Sequence, residues 1–176
     1  PDLQFPVKDV SREVAKPKVG SWKRMKKIAR YLANREEVVW KFEWQDPTDL
    51  SHVMGDSDWG GRPTRKSTSG GVWMIGGHCI KTWSSSQGAY ALSSAEAEFY
   101  SAGVLMGHMI WFIYILREMG RQVKGRVHLD SSAARGVLHR AGPGRIRHLH
   151  TRYLWTQERV KAGVISVGSV AGVENP

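Results

Sequence analysis

The chain has 176 residues, which is enough for one domain with a sizeable core and a small appendage. Its 41% hydrophobic content and eight Trp exclude a largely disordered chain. Its single cysteine, Cys79, excludes a disulfide framework and favours a reducing compartment. The formal net charge of +10 favours a polyanionic partner, usually nucleic acid, although general solubility explains the same charge equally well.

Residues 1–50 are predicted to hold one helix and one strand. Scattered prolines predict a loosely ordered lead-in over residues 1–19. Ser21 is predicted to cap a helix that runs to about Asn34. The apolar face of this helix carries Trp22, Met25, Ile28, Ala29 and Leu32. Residues 38–44 alternate as a strand does, and residues 45–50 are predicted to be a linker.

From residue 51 onward the pattern changes to short strands and then to alternating helices and strands. Strands are predicted over 52–57, 71–75, 80–84, 126–130 and 164–170. The run from Ser93 to Glu96 forms a capping box, which predicts a long helix ending near Met119 before Gly120. Shorter helices are predicted over 132–139 and about 148–162. This order predicts an α/β fold with a mixed sheet flanked by helices.

The most apolar stretch of the chain covers residues 102–116. It is too short to span a bilayer and contains Gly107 and His108, so we interpret it as part of a buried helix. The polar N-terminus has no signal-peptide pattern, and no membrane partner is expected.

Several acids stand where predicted strands end and where the long helix begins. Asp56 ends the first strand, Asp130 ends the fourth, and Glu96 and Glu98 lie in the first helical turn. Ligand sites in α/β sheets gather at the carboxyl ends of strands, so the helix would bring a glutamate toward the two aspartates. Converging carboxylates repel each other unless a hard cation such as Mg²⁺ or Mn²⁺ binds them, which suggests metal-assisted phosphodiester chemistry. Turn residues and helix-start acids favoured by the helix dipole explain the same pattern about as well.

Six blocks of sequence resemble, in order, the ribonuclease H domain of copia-type (LTR) retrotransposon Pol polyproteins. They are GDSDWGG at 55–61, RKSTSGG at 65–71, WSSSQ at 83–87, ALSSAEAEF at 91–99, VHLDSSA at 127–133 and RHLHTRY at 147–153. Upstream, residues 22–32 resemble the end of the same family's reverse transcriptase. The resemblance implies that residues 1–50 are a reverse transcriptase tail or connection segment. It implies that residues 51–176 have a ribonuclease H-like fold with a mixed five-stranded sheet, three antiparallel strands preceding the alternating part.

The resemblance also implies an activity, which is cleavage of the RNA strand of RNA–DNA hybrids during reverse transcription. Ribonucleases H bind two Mg²⁺ or Mn²⁺ ions for this reaction. Carried over by position, Asp56, Glu98 and Asp130 would be the catalytic residues and metal ligands, and Glu98 is preferred to Glu96 because it directly precedes Phe99. The expected partners are the hybrid and the reverse transcriptase of the same polyprotein, inside the cell in a cytoplasmic virus-like particle or in the nucleus.

A hybrid is recognised through its phosphates, its 2′-hydroxyls and its groove shape. The expected contacts are Ser67, Thr68, Ser69, Arg140, Arg145, Arg147 and Arg152. A second basic face would consist of Lys23, Lys26, Lys27 and Arg30. For any one of these cations, a solvated surface charge is an equally good interpretation.

The sequence departs from the family near Pro176. The family has a fourth metal-binding acid in a short Ala-Asp motif that opens a final helix, and residues 170–176 resemble only the lead-in to it. We therefore expect a domain truncated before its final helix, with Glu174 as the nearby carboxylate and the second metal ion short of a ligand. The alternative function is then a weak or inactive ribonuclease H-like module that binds nucleic acid or a partner. An integrase-like domain is disfavoured by the helix start at Ser93 and by the upstream segment.

Overall fold

The computed structural model describes residues 2–35, 37–61, 64–144 and 149–170. In chain order its elements are α1 (Gln4–Ser11), α2 (Val19–Asn34), β1 (Leu50–Asp58), β2 (Thr68–Ile75), β3 (His78–Ser86), α3 (Ser94–Glu118), β4 (Lys124–Leu129), α4 (Ser132–His139), a 3₁₀ turn (Thr151–Tyr153), α5 (Trp155–Lys161) and β5 (Ile165–Ser169). From β1 onward, the predicted order of strands and helices is confirmed.

The five strands form one mixed sheet in the order β3-β2-β1-β4-β5. The first three strands pair antiparallel, and β4 pairs parallel with both β1 and β5. The turn between β2 and β3 contains Gly76 at a φ of +56°, a conformation that glycine adopts without strain. This arrangement confirms the predicted mixed sheet, and it places the carboxyl ends of β1 and β4 side by side.

Helix α3 crosses one face of the sheet and supplies much of the core. It begins where the Ser93 hydroxyl accepts a hydrogen bond from the Glu96 amide (3.2 Å), and it stops before Gly120 at a φ of +76°. Two glycines let it approach closely, because a Cβ on Gly55 or Gly71 would lie 2.7 Å from a methyl carbon of Leu105. By length and composition alone this helix could cross a membrane, but 56% of its most apolar stretch is buried within the protein.

The structure differs from the sequence prediction in the first 50 residues. Helix α1 replaces part of the expected loosely ordered lead-in. Ser21 is not the N-cap of α2; it is the third residue of the helix, where its hydroxyl accepts a hydrogen bond from the Lys18 amide (3.0 Å). The strand predicted over 38–44 is absent, since these residues have no regular secondary structure and pair with no strand of the sheet.

The helix predicted over 148–162 is interrupted. Its described part consists of the 3₁₀ turn and α5. The Thr156 hydroxyl donates to the Tyr153 carbonyl (2.7 Å), and the Gln157 amide bonds the Leu154 carbonyl (3.0 Å). In a continuous α-helix the Tyr153 carbonyl would accept a hydrogen bond from the Gln157 amide. Here the Thr156 hydroxyl occupies that carbonyl instead, and the helix is interrupted.

Candidate metal centre and its surroundings

Three carboxylates converge at the carboxyl ends of the two central strands. Asp56 lies near the end of β1, Asp130 directly follows β4, and Glu98 lies in the second turn of α3. One oxygen from each of the three lies within 4.8 Å of the others. The parallel pairing of β1 with β4 explains the approach of the two aspartates. One detail differs from the prediction: β1 continues past Asp56 to Asp58, and Asp56 pairs with Gly70 on β2.

Hydroxyl groups fix the helix and the strand relative to each other at this point. The Ser57 hydroxyl donates to Oε1 of Glu98 (2.8 Å), and the Ser101 hydroxyl donates to the main-chain carbonyl of Asp56 (3.2 Å). The buried Gln87 side chain donates to the Ala97 carbonyl (2.8 Å). These bonds hold the Glu98 carboxylate at a defined position beside Asp56.

The electrostatics of the cluster are unfavourable without a cation. Partial burial raises the pKa of Glu98 to about 7, and the neighbouring charges of Asp56 and Asp130 raise it as well, against the opposing hydrogen bond from Ser57. The second oxygen of Glu98, Oε2, is buried and has no hydrogen-bond partner among the described residues. A buried carboxylate oxygen without a donor is costly. The all-oxygen ligand set and this unsatisfied atom fit a hard divalent cation such as Mg²⁺ or Mn²⁺.

The two glutamates of the capping region have different surroundings. Glu96 is 1% exposed; its carboxylate accepts hydrogen bonds from the Leu92 amide (2.7 Å) and from the Tyr100 hydroxyl. Glu96 therefore stabilises the start of α3, whereas Glu98 points toward the two aspartates. Asp58 accepts a hydrogen bond from the Thr68 amide across the β1–β2 pair.

The three predicted hydroxyl contacts to nucleic acid are buried. The Ser67 hydroxyl accepts from the Gly60 amide (3.2 Å), and the Ser69 hydroxyl accepts from the Gln87 side chain (3.0 Å). Thr68 is 6% exposed, and its hydroxyl accepts from the Lys8 ammonium group (3.0 Å). All three hydroxyls thus have partners within the protein, and their contact with nucleic acid stays a prediction.

Two of the four predicted arginine contacts, Arg140 and Arg152, lie within the described residues, after the end of α4. Arg140 folds back and donates to the Pro143 carbonyl (2.5 Å). Arg152 is exposed; its guanidinium donates to the Tyr153 hydroxyl (2.9 Å) and lies 4.8 Å from the centre of that ring. Arg145, Arg147 and Glu174 lie outside the described residues. On α2, all four predicted cations are exposed: Lys23, Lys26, Lys27 and Arg30.

Sequence reasoning missed two residues that shape the centre. The Ser57 hydroxyl donates to Glu98. Adjacent residues of a strand point to opposite faces of the sheet, so Ser57 points to the face opposite Asp56, which α3 covers. Its position next to Asp56 therefore predicts a contact with the start of α3. Tyr100 was treated only as part of a helix, yet its hydroxyl joins Glu96 to the His150 amide (3.0 Å). Burial and the hydrogen bond to Glu96 raise the pKa of Tyr100 to about 12, so it remains a donor.

Comparison of the sequence with known proteins identifies relatives over the whole chain. No protein-family model matches it. The Pol polyprotein of transposon TNT 1-94 from Nicotiana tabacum is 32% identical over 186 residues, which cover 100% of this chain and 13% of that protein. The Pol polyprotein of transposon RE2 from Arabidopsis thaliana is 27% identical over 177 residues, or 97% of this chain and 12% of that protein. The chain thus spans only about an eighth of these relatives.

A shorter relative also matches part of the chain. Secreted RxLR effector protein 161 of Plasmopara viticola is 30% identical over 112 residues, which are 63% of this chain and 78% of that protein. Among solved structures, the LC11 ribonuclease H1 isolated from compost superimposes with a TM-score of 0.56 over 73% of this chain and 89% of its own, at 13% identity. That identity establishes a shared fold. The chain is a homologue of one segment of the retrovirus-related Pol polyproteins of plant transposons, and its fold is that of ribonuclease H.

Proposed function

We propose that this chain is a metal-dependent ribonuclease H that cleaves the RNA strand of RNA–DNA hybrids during retrotransposon reverse transcription. The observation that carries the proposal is the convergence of Asp56, Glu98 and Asp130 within 4.8 Å, with one Glu98 oxygen buried and unsatisfied. The ribonuclease H fold and the Pol homologues support the same assignment.

The three carboxylates would hold Mg²⁺ or Mn²⁺, the ions expected from the ligand chemistry. When bound, such an ion activates a water molecule and stabilises the leaving oxygen of a phosphodiester. Ser57 keeps Oε1 of Glu98 oriented, and Oε2, which accepts no hydrogen bond from the described residues, would be the atom that binds the cation. In this hydrolysis the water oxygen forms a bond to phosphorus and gives up a proton, while the bond from phosphorus to the leaving ribose oxygen breaks and that oxygen takes up a proton.

Charge would hold the substrate beside the carboxylates. Residues 121–176 contain ten Lys and Arg against three Asp and Glu, so this part of the chain is strongly cationic. We assign the backbone contacts to Arg140, Arg145, Arg147 and Arg152. Since a hybrid is bound mainly through its phosphates, affinity should fall steeply as salt is raised.

The deciding experiment is cleavage of an RNA–DNA hybrid labelled on the RNA strand, with Mg²⁺ or Mn²⁺. The expected result is cleavage by the wild type, its loss in Asp130→Asn, and its retention in Asp46→Asn, which removes the same charge from an exposed linker. Cleavage of the DNA strand, or equal cleavage by Asp130→Asn, would refute the proposal.

The alternative function is a binding module. Within the described residues, three carboxylates form the cluster and no fourth acid joins them. Retained hybrid binding without cleavage in either metal would favour this alternative. The same assay therefore separates the two functions, provided that binding is measured in parallel.

A further inference from the structure

Residues 38–44 form an apolar segment that no strand of the sheet pairs with. Its even positions are apolar, and their exposed fractions are 61% for Val38, 37% for Trp40, 58% for Phe42 and 91% for Trp44. Alternation of this kind is typical of a strand with one apolar face. Large apolar side chains that are exposed together mark an interaction surface, because their contact with water is unfavourable. The segment thus has the pattern of a strand but lacks a partner strand within the described chain.

The segment is held in place near its carboxyl end. The Nε2 atom of His78 donates to the Glu43 carbonyl (2.7 Å). The Gln45 side chain donates to the Ile75 carbonyl (3.0 Å), so both contacts lie at the turn that joins β2 to β3. Within the described parts of the chain, residues 38–44 make no hydrogen bond from main chain to main chain. The segment therefore retains amide and carbonyl groups that a further strand can bind.

The contact with His78 indicates which of these groups a further strand would meet. In a strand, the amide and carbonyl of one residue point to the same side, and those of the next residue point to the opposite side. The Glu43 carbonyl points to His78 of its own chain. In strand conformation the main-chain groups of Trp40, Phe42 and Trp44 therefore point to the side opposite His78. An incoming strand on that side would pair with these three residues.

We infer that this segment pairs with the same segment of a second copy of the chain, as an antiparallel strand pair with Phe42 on the two-fold axis. The inference is independent of the proposed nuclease function. A two-fold interface uses the same surface of both copies, so the segment must be complementary to itself. With Phe42 opposite Phe42 of the second copy, Trp40 lies opposite Trp44, and the apolar side chains of both copies share one face.

The charges of the segment specify this register. Lys41 then lies opposite Glu43 of the second copy, and Glu43 lies opposite Lys41, which gives two ion pairs. Neither side chain has an ion-pair partner among the described residues of its own chain. A two-fold axis at residue 41 or at residue 43 would place like charges opposite each other, and so would a parallel pair in register. A shift by one residue would place Lys41 opposite Phe42, which mixes the polar and apolar faces.

The test is the association state of the full chain, measured by analytical ultracentrifugation over a range of protein concentrations. Wild type should shift from one chain to two as its concentration rises. Lys41→Glu and Glu43→Lys each place like charges opposite one another, so each should raise the dissociation constant of the dimer roughly tenfold or more. The double variant with both reversals restores opposite charges and should dimerise as wild type does. Lys16→Glu makes the same charge change at an exposed position before α2 and should have no effect, and thermal melting verifies that every variant folds.

A mixture of the two single variants tests the register directly. One variant carries two acids at positions 41 and 43, and the other carries two lysines, so the mixture should form a heterodimer although each variant alone is mostly monomeric. Wild type that stays a single chain at every concentration would overturn the inference and leave the segment to a partner of another kind. A dimer that the single reversals do not weaken, or that neither the double variant nor the mixture restores, would use another surface and would overturn it equally.

Discussion

Replacing Glu98 by glutamine should stabilise the metal-free protein. Glutamine keeps an oxygen that accepts the Ser57 hydrogen bond and removes a charge that burial and two neighbouring aspartates disfavour. The pKa of Glu98 is about 7 in the folded protein, against an ordinary value of 4.5. Between these values the folded state keeps a proton that the unfolded chain has released. The contribution of Glu98 to stability therefore becomes less favourable as pH rises from 4.5 to 7.

The size of the effect follows from this difference in pKa. A difference of about 2.5 corresponds to at most about 3.4 kcal/mol at 1.36 kcal/mol per pKa unit. The carboxylate is only partly buried, so solvent screening reduces the expected gain to about 1–2 kcal/mol. In a domain of this size that gain raises the melting temperature by about 3–6 °C.

The assay is thermal melting of wild type and Glu98→Gln in EDTA at pH 8 and at pH 4.5. The variant should melt higher at pH 8, and the difference should shrink at pH 4.5, where the folded wild type is protonated at Glu98 and the unfolded chain is about half protonated there. Glu96→Gln is the matched control, and it should melt lower, because Glu96 accepts hydrogen bonds from the Leu92 amide and the Tyr100 hydroxyl. The reasoning is refuted if Glu98→Gln melts below wild type at pH 8, or if its advantage is independent of pH.

Three further outcomes can be measured on the same protein. The affinity for Mg²⁺, measured by calorimetry, should increase as pH rises from 6 to 8, because Glu98 must release its proton to bind the cation. A Kd that does not change with pH would contradict this expectation. Ser57→Ala removes the hydrogen bond that lowers the pKa of Glu98. More of the carboxyl is then protonated at pH 7, so Mg²⁺ binding should weaken several-fold. Unchanged binding would show that Ser57 does not orient the carboxylate. Gly103→Ala should lower the unfolding free energy by about 2 kcal/mol or more, because the new Cβ would lie 2.5 Å from the Tyr153 ring. Gly107→Ala, in the same helix, should raise the unfolding free energy by up to about 1 kcal/mol, because its Cβ would meet nothing within 4 Å. Melting curves in which the two variants agree would contradict both expectations.

The part of the chain that carries the carboxylate cluster could be predicted largely from local signals. The Ser93 capping box marks the start of α3, and Asp56 and Asp130 stand near the ends of strands that turn out to be parallel neighbours. Those signals are local because each depends on a few adjacent residues. The catalytic and metal-binding roles of Asp56, Glu98 and Asp130 remain predictions, since proximity alone does not show chemistry.

The parts that were not predicted depend on contacts between distant residues. Helix α1 contains Pro6 in its first turn, where a missing amide proton costs little, and it is held by bonds from Gln4 and Lys8 to strands about 80 residues away. No local pattern reports such contacts. The alternation over 38–44 suggested a strand, but alternation produces a strand only where a neighbouring strand is available to pair. Ser69 was expected to face nucleic acid, but Gln87 binds its hydroxyl inside the protein.

The parallel pairing of β1 with β4 has a consequence for the order in which the protein forms. Asp56 and Asp130 are 74 positions apart, and β2, β3 and α3 all lie between them in the chain. Closing so long a crossover is slow compared with forming a hairpin or a helix. During synthesis, a chain that extends only through α3 has two of the three carboxylates and lacks the strand that brings in the third. The carboxylate cluster therefore assembles late, only after β4 has joined the sheet beside β1.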